Sequence, residues 1–89
     1  MATILKHDKK ILQINLSENY IGPIGIKNLA ENLIFNKKLI YLNLNKNYIG
    51  IEGAKFLSEG LRVNQSIEII ELSSNNIKSE GVFYLFKNL

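Results

Sequence analysis

The stretch LIYLNLNKNYIGIEGAKFLSEGLRVNQS, residues 39–66, changes its hydrophobic spacing halfway along. Leu42 and Leu44 are two residues apart, which places both side chains on the same face of a strand. Leu57 and Leu61 are four residues apart, which is the spacing along one face of a helix. The stretch therefore predicts a strand, a turn, a helix and a return loop.

The same pattern recurs on both sides of this stretch with a period of 28 residues. The columns that repeat are Ile11, Leu39 and Ile67; Ile14, Leu42 and Ile70; Leu16, Leu44 and Leu72; Asn19, Asn47 and Asn75; Ile21, Ile49 and Ile77; Gly25, Gly53 and Gly81; Leu29, Leu57 and Leu85; and Leu33, Leu61 and Leu89. We expect one domain over residues 1–89, with a partial unit at 1–10, full units at 11–38 and 39–66, and a truncated unit at 67–89.

The repeated pattern L-x-x-L-x-L-x-x-N-x-I-x-x-x-G-x-x-x-L-x-x-x-L-x-x-N resembles the ribonuclease-inhibitor-like class of leucine-rich repeats. The resemblance covers essentially the whole chain. It implies a short α/β solenoid with a parallel sheet on the concave side and helices on the convex side, because each unit buries its apolar edge only against its neighbours. It also implies a protein-interaction module, which is the usual role of such repeats.

Two polar or small columns are expected to be structural. Asn19, Asn47 and Asn75 follow the strands, where backbone groups would otherwise point unpaired into the interior, and an amide side chain supplies both donors and an acceptor. The Gly column is expected to let neighbouring backbones approach closely near the helix starts. Pro23 suits the first helical position of its unit, and Ser79 is expected to cap the third helix.

The sequence contains no pattern typical of a catalytic, metal or cofactor site. There is no Cys, and His7 is the only His, so no two-His metal site forms within one chain. No Gly-x-Ser-x-Gly or Gly-x-x-x-x-Gly-Lys pattern occurs. Glu68 and Glu71 are close in sequence, but a shallow three-unit arc offers no deep cleft for an acid–base pair. We therefore predict a non-enzymatic protein that uses no metal and no cofactor.

Composition narrows the class of partner and the compartment. The 89 residues are 46% hydrophobic and 21% charged, which is an ordinary globular balance. The net charge of +3 is too small, and the Lys residues too scattered, to predict nucleic-acid binding. No run approaches the roughly 18 apolar residues of a membrane-spanning helix, so we expect no membrane partner. Residues 1–10 lack the apolar core of a signal peptide, which together with the absence of Cys predicts a cytoplasmic, intracellular protein.

The strand residues that the core does not use are expected to line the concave face, the usual binding surface of a solenoid. The expected partner-binding residues are Gln13, Asn15, Tyr41, Asn43, Asn45, Ile69 and Glu71. Tyr41 is an aromatic residue where the scaffold needs none, and we interpret it as the anchor at the centre of this patch. The alternative interpretation is a lone exposed aromatic side chain. The partner is expected to be a protein whose identity no motif specifies.

The third unit is more apolar than the other two in its helix. Residues 82–86 read VFYLF, whereas a terminal repeat normally becomes more polar to cap the core. Three explanations are open: a following repeat absent from this sequence, aromatic side chains that fold back as a private cap, or pairing with another copy through the unpaired edge of the third strand. We favour the last of these, a closed homodimer in which Phe83, Tyr84 and Phe86 form the self-association surface.

Overall fold

A computed structural model describes residues 12–87 of the chain. Within this range three strands alternate with three helices, as the change of hydrophobic spacing predicts. The elements are β1 (Gln13–Asn15), α1 (Gly22–Leu33), β2 (Tyr41–Asn43), α2 (Gly50–Val63), β3 (Ile69–Glu71) and α3 (Lys78–Lys87). The expected partial unit at residues 1–10 and the last member of the final Leu column, Leu89, lie outside the described residues.

The three strands form a parallel sheet in the order β1-β2-β3. Gln13 pairs with Tyr41, and Tyr41 pairs with Ile69, so each step across the sheet advances the sequence by one repeat. Side chains alternate along a strand, so Leu42 is buried against the helices while its neighbours on both sides face outward. The predicted fold class is therefore confirmed: a short α/β solenoid with its sheet on the concave side and its helices on the convex side.

The core lies between the sheet and the helices, and it is most complete in the middle unit. The fully buried core residues of that unit are Leu39, Leu42, Leu44, Ile49, Ala54 and Leu57, each 0% exposed. In the third unit the counterparts of Leu39, Leu42, Leu44 and Leu57, which are Ile67, Ile70, Leu72 and Leu85, are only half-buried. Ile77, the counterpart of Ile49, stays buried. The middle unit is covered by a neighbour on each side, which explains why its core residues are the most completely buried.

The Asn column forms the predicted hydrogen-bonded ladder between units. The Asn47 side-chain amide donates to the carbonyl oxygens of Leu16 at 2.8 Å and Leu44 at 3.1 Å. Its Oδ1 accepts the backbone N–H of Asn19 at 2.9 Å. Asn75 repeats both contacts one unit later, with the Leu44 carbonyl at 2.8 Å and the Asn47 N–H at 2.6 Å. Asn47 and Asn75 are buried while Asn19 is exposed, so the ladder stabilises the interior chiefly through the later two.

A second Asn column ties the return loops together. Oδ1 of Asn64 accepts the backbone N–H groups of Ser66 and Ile67, each at 2.9 Å. The amide of the same side chain donates to the carbonyl oxygens of Leu33 and Asn36 in the preceding unit, each at 2.9 Å. Asn64 therefore fixes its own turn and also bonds it to the unit before, which explains why Asn closes each full repeat.

The repeated glycines have a different cause from the one expected. A Cβ on Gly53 would lie 2.5 Å from Cγ2 of Ile49, four residues earlier in the same unit. The column is glycine chiefly because an isoleucine of its own unit packs over it. The close approach between neighbouring backbones occurs elsewhere, at Gly60, where a Cβ would lie 2.6 Å from the carbonyl oxygen of Ala30 in α1. The expected explanation for the Gly column is therefore wrong in its main part.

The first residue of each helix lies in the left-handed region of backbone conformation. Gly22 has a φ of 71°, so regular helix geometry in α1 starts at Pro23, as predicted. Lys78 takes the same place in α3, with a φ of 61°. Regular helix geometry in α3 therefore starts at Ser79, which lies inside the helix and not before it, so the prediction that Ser79 caps this helix is wrong.

Candidate partner-binding surface

The outward side chains of the sheet form two rows across the three strands. Gln13, Tyr41 and Ile69 make one row, and Asn15, Asn43 and Glu71 make the other. Asn45 follows β2 and joins the second row, since its amide donates to Oε1 of Glu71 at 3.2 Å. The seven residues predicted from the sequence are thus brought together on one side of the sheet, which we call the sheet face.

Tyr41 and Glu71 are in direct contact on the sheet face. The Tyr41 hydroxyl donates a hydrogen bond to Oε2 of Glu71, while Asn45 occupies Oε1. Asn45 is itself held, because its Oδ1 accepts the backbone N–H of Ser73 at 2.8 Å. Tyr41 is half-buried and its polar end is bonded, so the alternative of a lone exposed aromatic does not describe it.

The hydrogen bonds on the sheet face shift the pKa values of both Tyr41 and Glu71. The Tyr41 hydroxyl, and after it the Asn45 amide, hold the pKa of Glu71 below its ordinary value of 4.5. The bond to Glu71, with smaller contributions from burial and from the charge of Glu71, raises the pKa of Tyr41 above 10.0. At neutral pH the face therefore carries an ionised carboxylate beside a neutral phenol.

We expect Tyr41→Phe to raise the pKa of Glu71 toward 4.5, because the substitution removes the donor that most favours the carboxylate. In the wild type, the stability that Glu71 contributes is present above pH 4.5 and is lost as the pH falls through its lowered pKa. NMR titration of the Glu71 side chain measures this pKa in the wild type and in the variant. Tyr48→Phe is the matched control, since the Tyr48 ring lies outside the contacts of Glu71; equal shifts in the two variants would contradict the assignment.

A second exposed surface carries a pair of tyrosines that sequence reasoning missed. Tyr20 and Tyr48 lie in equivalent loops after β1 and β2, with ring centroids 5.3 Å apart and ring planes 16° from parallel. The two residues are 76% and 59% exposed. Both residues have positive φ, 52° and 55°, a conformation in which L-residues other than Asn and Gly are uncommon. Asn76 holds the same position in the third unit, with a φ of 54°. The sequence signal for this pair is the Asn-Tyr-Ile-Gly stretch, which occurs at residues 19–22 and again at 47–50.

The positive φ of Tyr48 predicts an unusual order of stabilities. Tyr48→Gly and Tyr48→Ala both lose the stacking, but only glycine relieves the left-handed backbone, so we expect the Ala variant to be about 1 kcal/mol less stable than the Gly variant. Ile24 is the matched control, since it is 68% exposed in the first turns of α1. At Ile24 the order is expected to reverse, with Ile24→Gly less stable than Ile24→Ala, because glycine in a helix costs about 1 kcal/mol relative to alanine. Urea denaturation of the four variants provides the measurement, and the same order at both sites would contradict this account.

The aromatic residues of α3 point in different directions. Phe83 and Phe86 are 61% and 67% exposed, so they do not fold back over the core, and the private-cap explanation is wrong. Tyr84 is half-buried; its ring contacts Phe83 edge-on at 6.0 Å and lies 5.7 Å from Nζ of Lys55 in α2. The predicted self-association residues therefore split into two exposed side chains and one that packs back against the preceding unit.

The described residues show no other grouping that suggests chemistry. Between residues 12 and 87, no three His, Cys, Asp or Glu side chains are placed to hold a metal ion. No helix in that range combines the length and the apolar character needed to cross a lipid bilayer. Three exposed surfaces of the described residues thus remain as candidates for partner binding: the sheet face, the Tyr20–Tyr48 pair, and the exposed Phe83 and Phe86 on α3.

The repeat geometry agrees with a comparison to known protein families. A sequence profile described as "Leucine Rich repeat" matches residues 35–58 and 63–86, more than half of the chain. The protein belongs to the leucine-rich-repeat family. No curated protein matches the sequence at a significant level. Leucine-rich-repeat proteins are typically non-enzymatic, and their repeats suggest an interaction with another protein rather than catalysis.

Proposed function

We propose that this leucine-rich-repeat protein is a non-enzymatic interaction module that binds a partner protein through its concave sheet face. The observation that carries the proposal is the pair of side-chain rows on β1, β2 and β3, which the core does not use. Ile69 is 55% exposed within these rows, directly beside Tyr41. An exposed aliphatic residue beside a tyrosine, surrounded by amide side chains, has the composition of an interface centre with a polar rim.

Apolar exposure extends along the strand starts at the edge of the sheet face. Leu12 and Ile40, which immediately precede β1 and β2, are 49% and 37% exposed. Neither side chain is needed to complete the core between the sheet and the helices. A partner that covers the sheet face and its edge would remove this apolar surface from water, at roughly 25 cal/mol per Å² of gross stabilisation.

Site-specific photo-cross-linking tests the proposal. A photoreactive amino acid at Gln13 on β1 is expected to cross-link a partner protein from an extract of the source cells. The matched control carries the same group at Glu59 on α2, which is also exposed but lies in the helix layer. Cross-linking from Glu59 and not from Gln13 would overturn the choice of surface.

A second candidate function is self-association through the C-terminal edge. It is favoured by the half-buried core residues of the third unit and by the exposed Phe83 and Phe86 on α3. β3 is an edge strand of the described sheet, so one side of its backbone is open to pairing. A two-fold contact between two such edges closes on itself, whereas a head-to-tail contact would extend into a filament.

Sedimentation at several protein concentrations tests self-association, because it measures the oligomeric state. A dimeric wild type and a monomeric Phe83→Glu, Phe86→Glu double variant would place the interface at the C-terminal edge. The matched control is Ile24→Glu, Phe35→Glu, which alters two exposed apolar residues on and just after α1. A wild type that stays monomeric at all concentrations would remove self-association from the account.

We also propose a subfamily, a domain division and a compartment for the protein. Residues paired between neighbouring strands are 28 positions apart in the sequence. This spacing supports the ribonuclease-inhibitor-like class and the units at residues 11–38, 39–66 and 67–89. The proposal of a single domain over residues 1–89 rests on this continuous repeat. The proposal of a cytoplasmic location rests on the sequence alone, through the absence of Cys.

A further inference from the structure

We propose that the partner of the sheet face presents a cationic side chain, Arg or Lys, to the carboxylate of Glu71, flanked by an apolar side chain that packs on Ile69. This inference rests on the proposed function, because it uses the same face, and it adds the chemistry of the partner. It makes Glu71 a binding residue that determines which partner is accepted.

The charge of the sheet face is opposite to that of the whole chain. The chain carries a net charge of +3. Of the nine residues in the three strands, Glu71 alone is charged at neutral pH. Glu68, which is exposed, adds a second carboxylate one residue before β3. A cationic group on a partner would thus be attracted to this part of an otherwise basic protein, and charge complementarity of this kind selects partners and orients their approach.

The carboxylate of Glu71 is held in place and still has acceptor capacity. Tyr41 donates to one of its oxygens and Asn45 to the other, so its orientation is fixed before any partner arrives. A carboxylate offers about four lone-pair positions, of which these two bonds use two. The remaining positions suit the planar fork of an Arg side chain or the ammonium of Lys. Fixing the acceptor in advance lowers the ordering cost of binding.

Glu71 is distinct from the other carboxylates in this respect. Among residues 12–87, no other carboxylate accepts hydrogen bonds from two side chains. Glu52 and Glu59 on α2 are exposed and project from the helix layer. The ordered carboxylate therefore occurs on the face whose outward side chains the fold does not need, and not on the solvated helices.

Apolar surface beside Glu71 matches the stem of a long cationic side chain. Tyr41 and Ile69 are paired across β2 and β3, and Ile69 is 55% exposed. Arg and Lys side chains bury their methylene groups on such a surface while the charged end reaches an acceptor. The Tyr41 ring also offers a cation an aromatic face. One binding spot thus combines a fixed anion with an apolar platform.

Selection from a random twelve-residue peptide library displayed on phage tests the inference without a known partner. The immobilised wild-type chain is expected to enrich peptides that contain Arg or Lys next to an apolar residue. Glu71→Gln is expected to lose this enrichment, while the matched control Glu59→Gln keeps it. For a selected peptide made synthetically, replacing the cationic residue by neutral citrulline or norleucine is expected to weaken binding about tenfold, because a hydrogen bond between charged groups is lost.

The outcomes separate this inference from the proposed function. Peptides that bind the sheet face, judged by NMR shifts at Gln13, Asn43 and Ile69, but carry no cation would overturn the inference and leave the proposed function standing. Peptides with or without a cation that bind only the helix layer would contradict both. Equal affinity of a cationic peptide for wild type and Glu71→Gln would also overturn the inference, since the carboxylate would then contribute nothing.

Discussion

Replacing Asn75 with Leu is expected to lower the free energy of unfolding by about 4 kcal/mol. Leu nearly preserves the side-chain volume but removes Oδ1, which accepts the buried backbone N–H groups of Asn47 at 2.6 Å and Ile49 at 3.4 Å. Each buried donor left unpaired costs about 1–3 kcal/mol. The carbonyl of Leu44 is affected less, because it still accepts the Asn47 amide at 3.1 Å. Urea denaturation followed by circular dichroism measures the loss.

Asn19→Leu is the matched control for the ladder. Asn19 occupies the same column, but it is exposed, and the Leu16 carbonyl to which it donates also accepts the Asn47 amide at 2.8 Å. We therefore expect a loss below about 1 kcal/mol. Equal losses for Asn19→Leu and Asn75→Leu would show that burial of the ladder is not what stabilises the repeats.

Gly60→Val is expected to lower the free energy of unfolding by about 3 kcal/mol. A Cβ at this position would lie 2.6 Å from the carbonyl oxygen and 3.0 Å from Cα of Ala30. Both are backbone atoms, so relief requires α1 and α2 to move apart, which opens the core between them. Glu59→Val is the control, because it introduces the same branched residue one position earlier, at an exposed site of the same helix. A comparable loss in the control would assign the effect to helix propensity instead of helix contact.

The fold could be predicted from the sequence because the same hydrophobic spacing occurs in each repeat. Leu42 and Leu44 indicate a strand, and finding the same spacing at Ile70 and Leu72 makes chance agreement a poor explanation. Asn47 was interpretable for the same reason, since a polar residue in a fixed column after a strand needs a structural cause. The role of Gly60 could not be predicted, because its counterpart in the first unit is Asn32 and no repeated column marks the close approach to α1.

The composition of the sheet face was predicted, but its internal contacts were not. Alternation along the strands places Tyr41 and Glu71 on the same side, two residues out of register with each other. Whether the hydroxyl reaches the carboxylate depends on side-chain rotamers, which periodicity does not specify. The left-handed backbone at Tyr20 and Tyr48 was missed for a related reason: tyrosine is a rare choice there, and only the neighbouring glycines hinted at the loop geometry.

The most direct test of the central claim is the affinity of the cross-linked partner for two single variants, Ile69→Lys and Val63→Lys. Both replace an exposed aliphatic residue, 55% and 45% exposed respectively, by the same cation, but Ile69 lies on the sheet face and Val63 at the end of α2. We predict that Ile69→Lys weakens binding at least about tenfold, as expected for an apolar interface centre, and that Val63→Lys leaves the affinity unchanged. Full affinity in Ile69→Lys together with a loss in Val63→Lys would contradict binding through the concave sheet face.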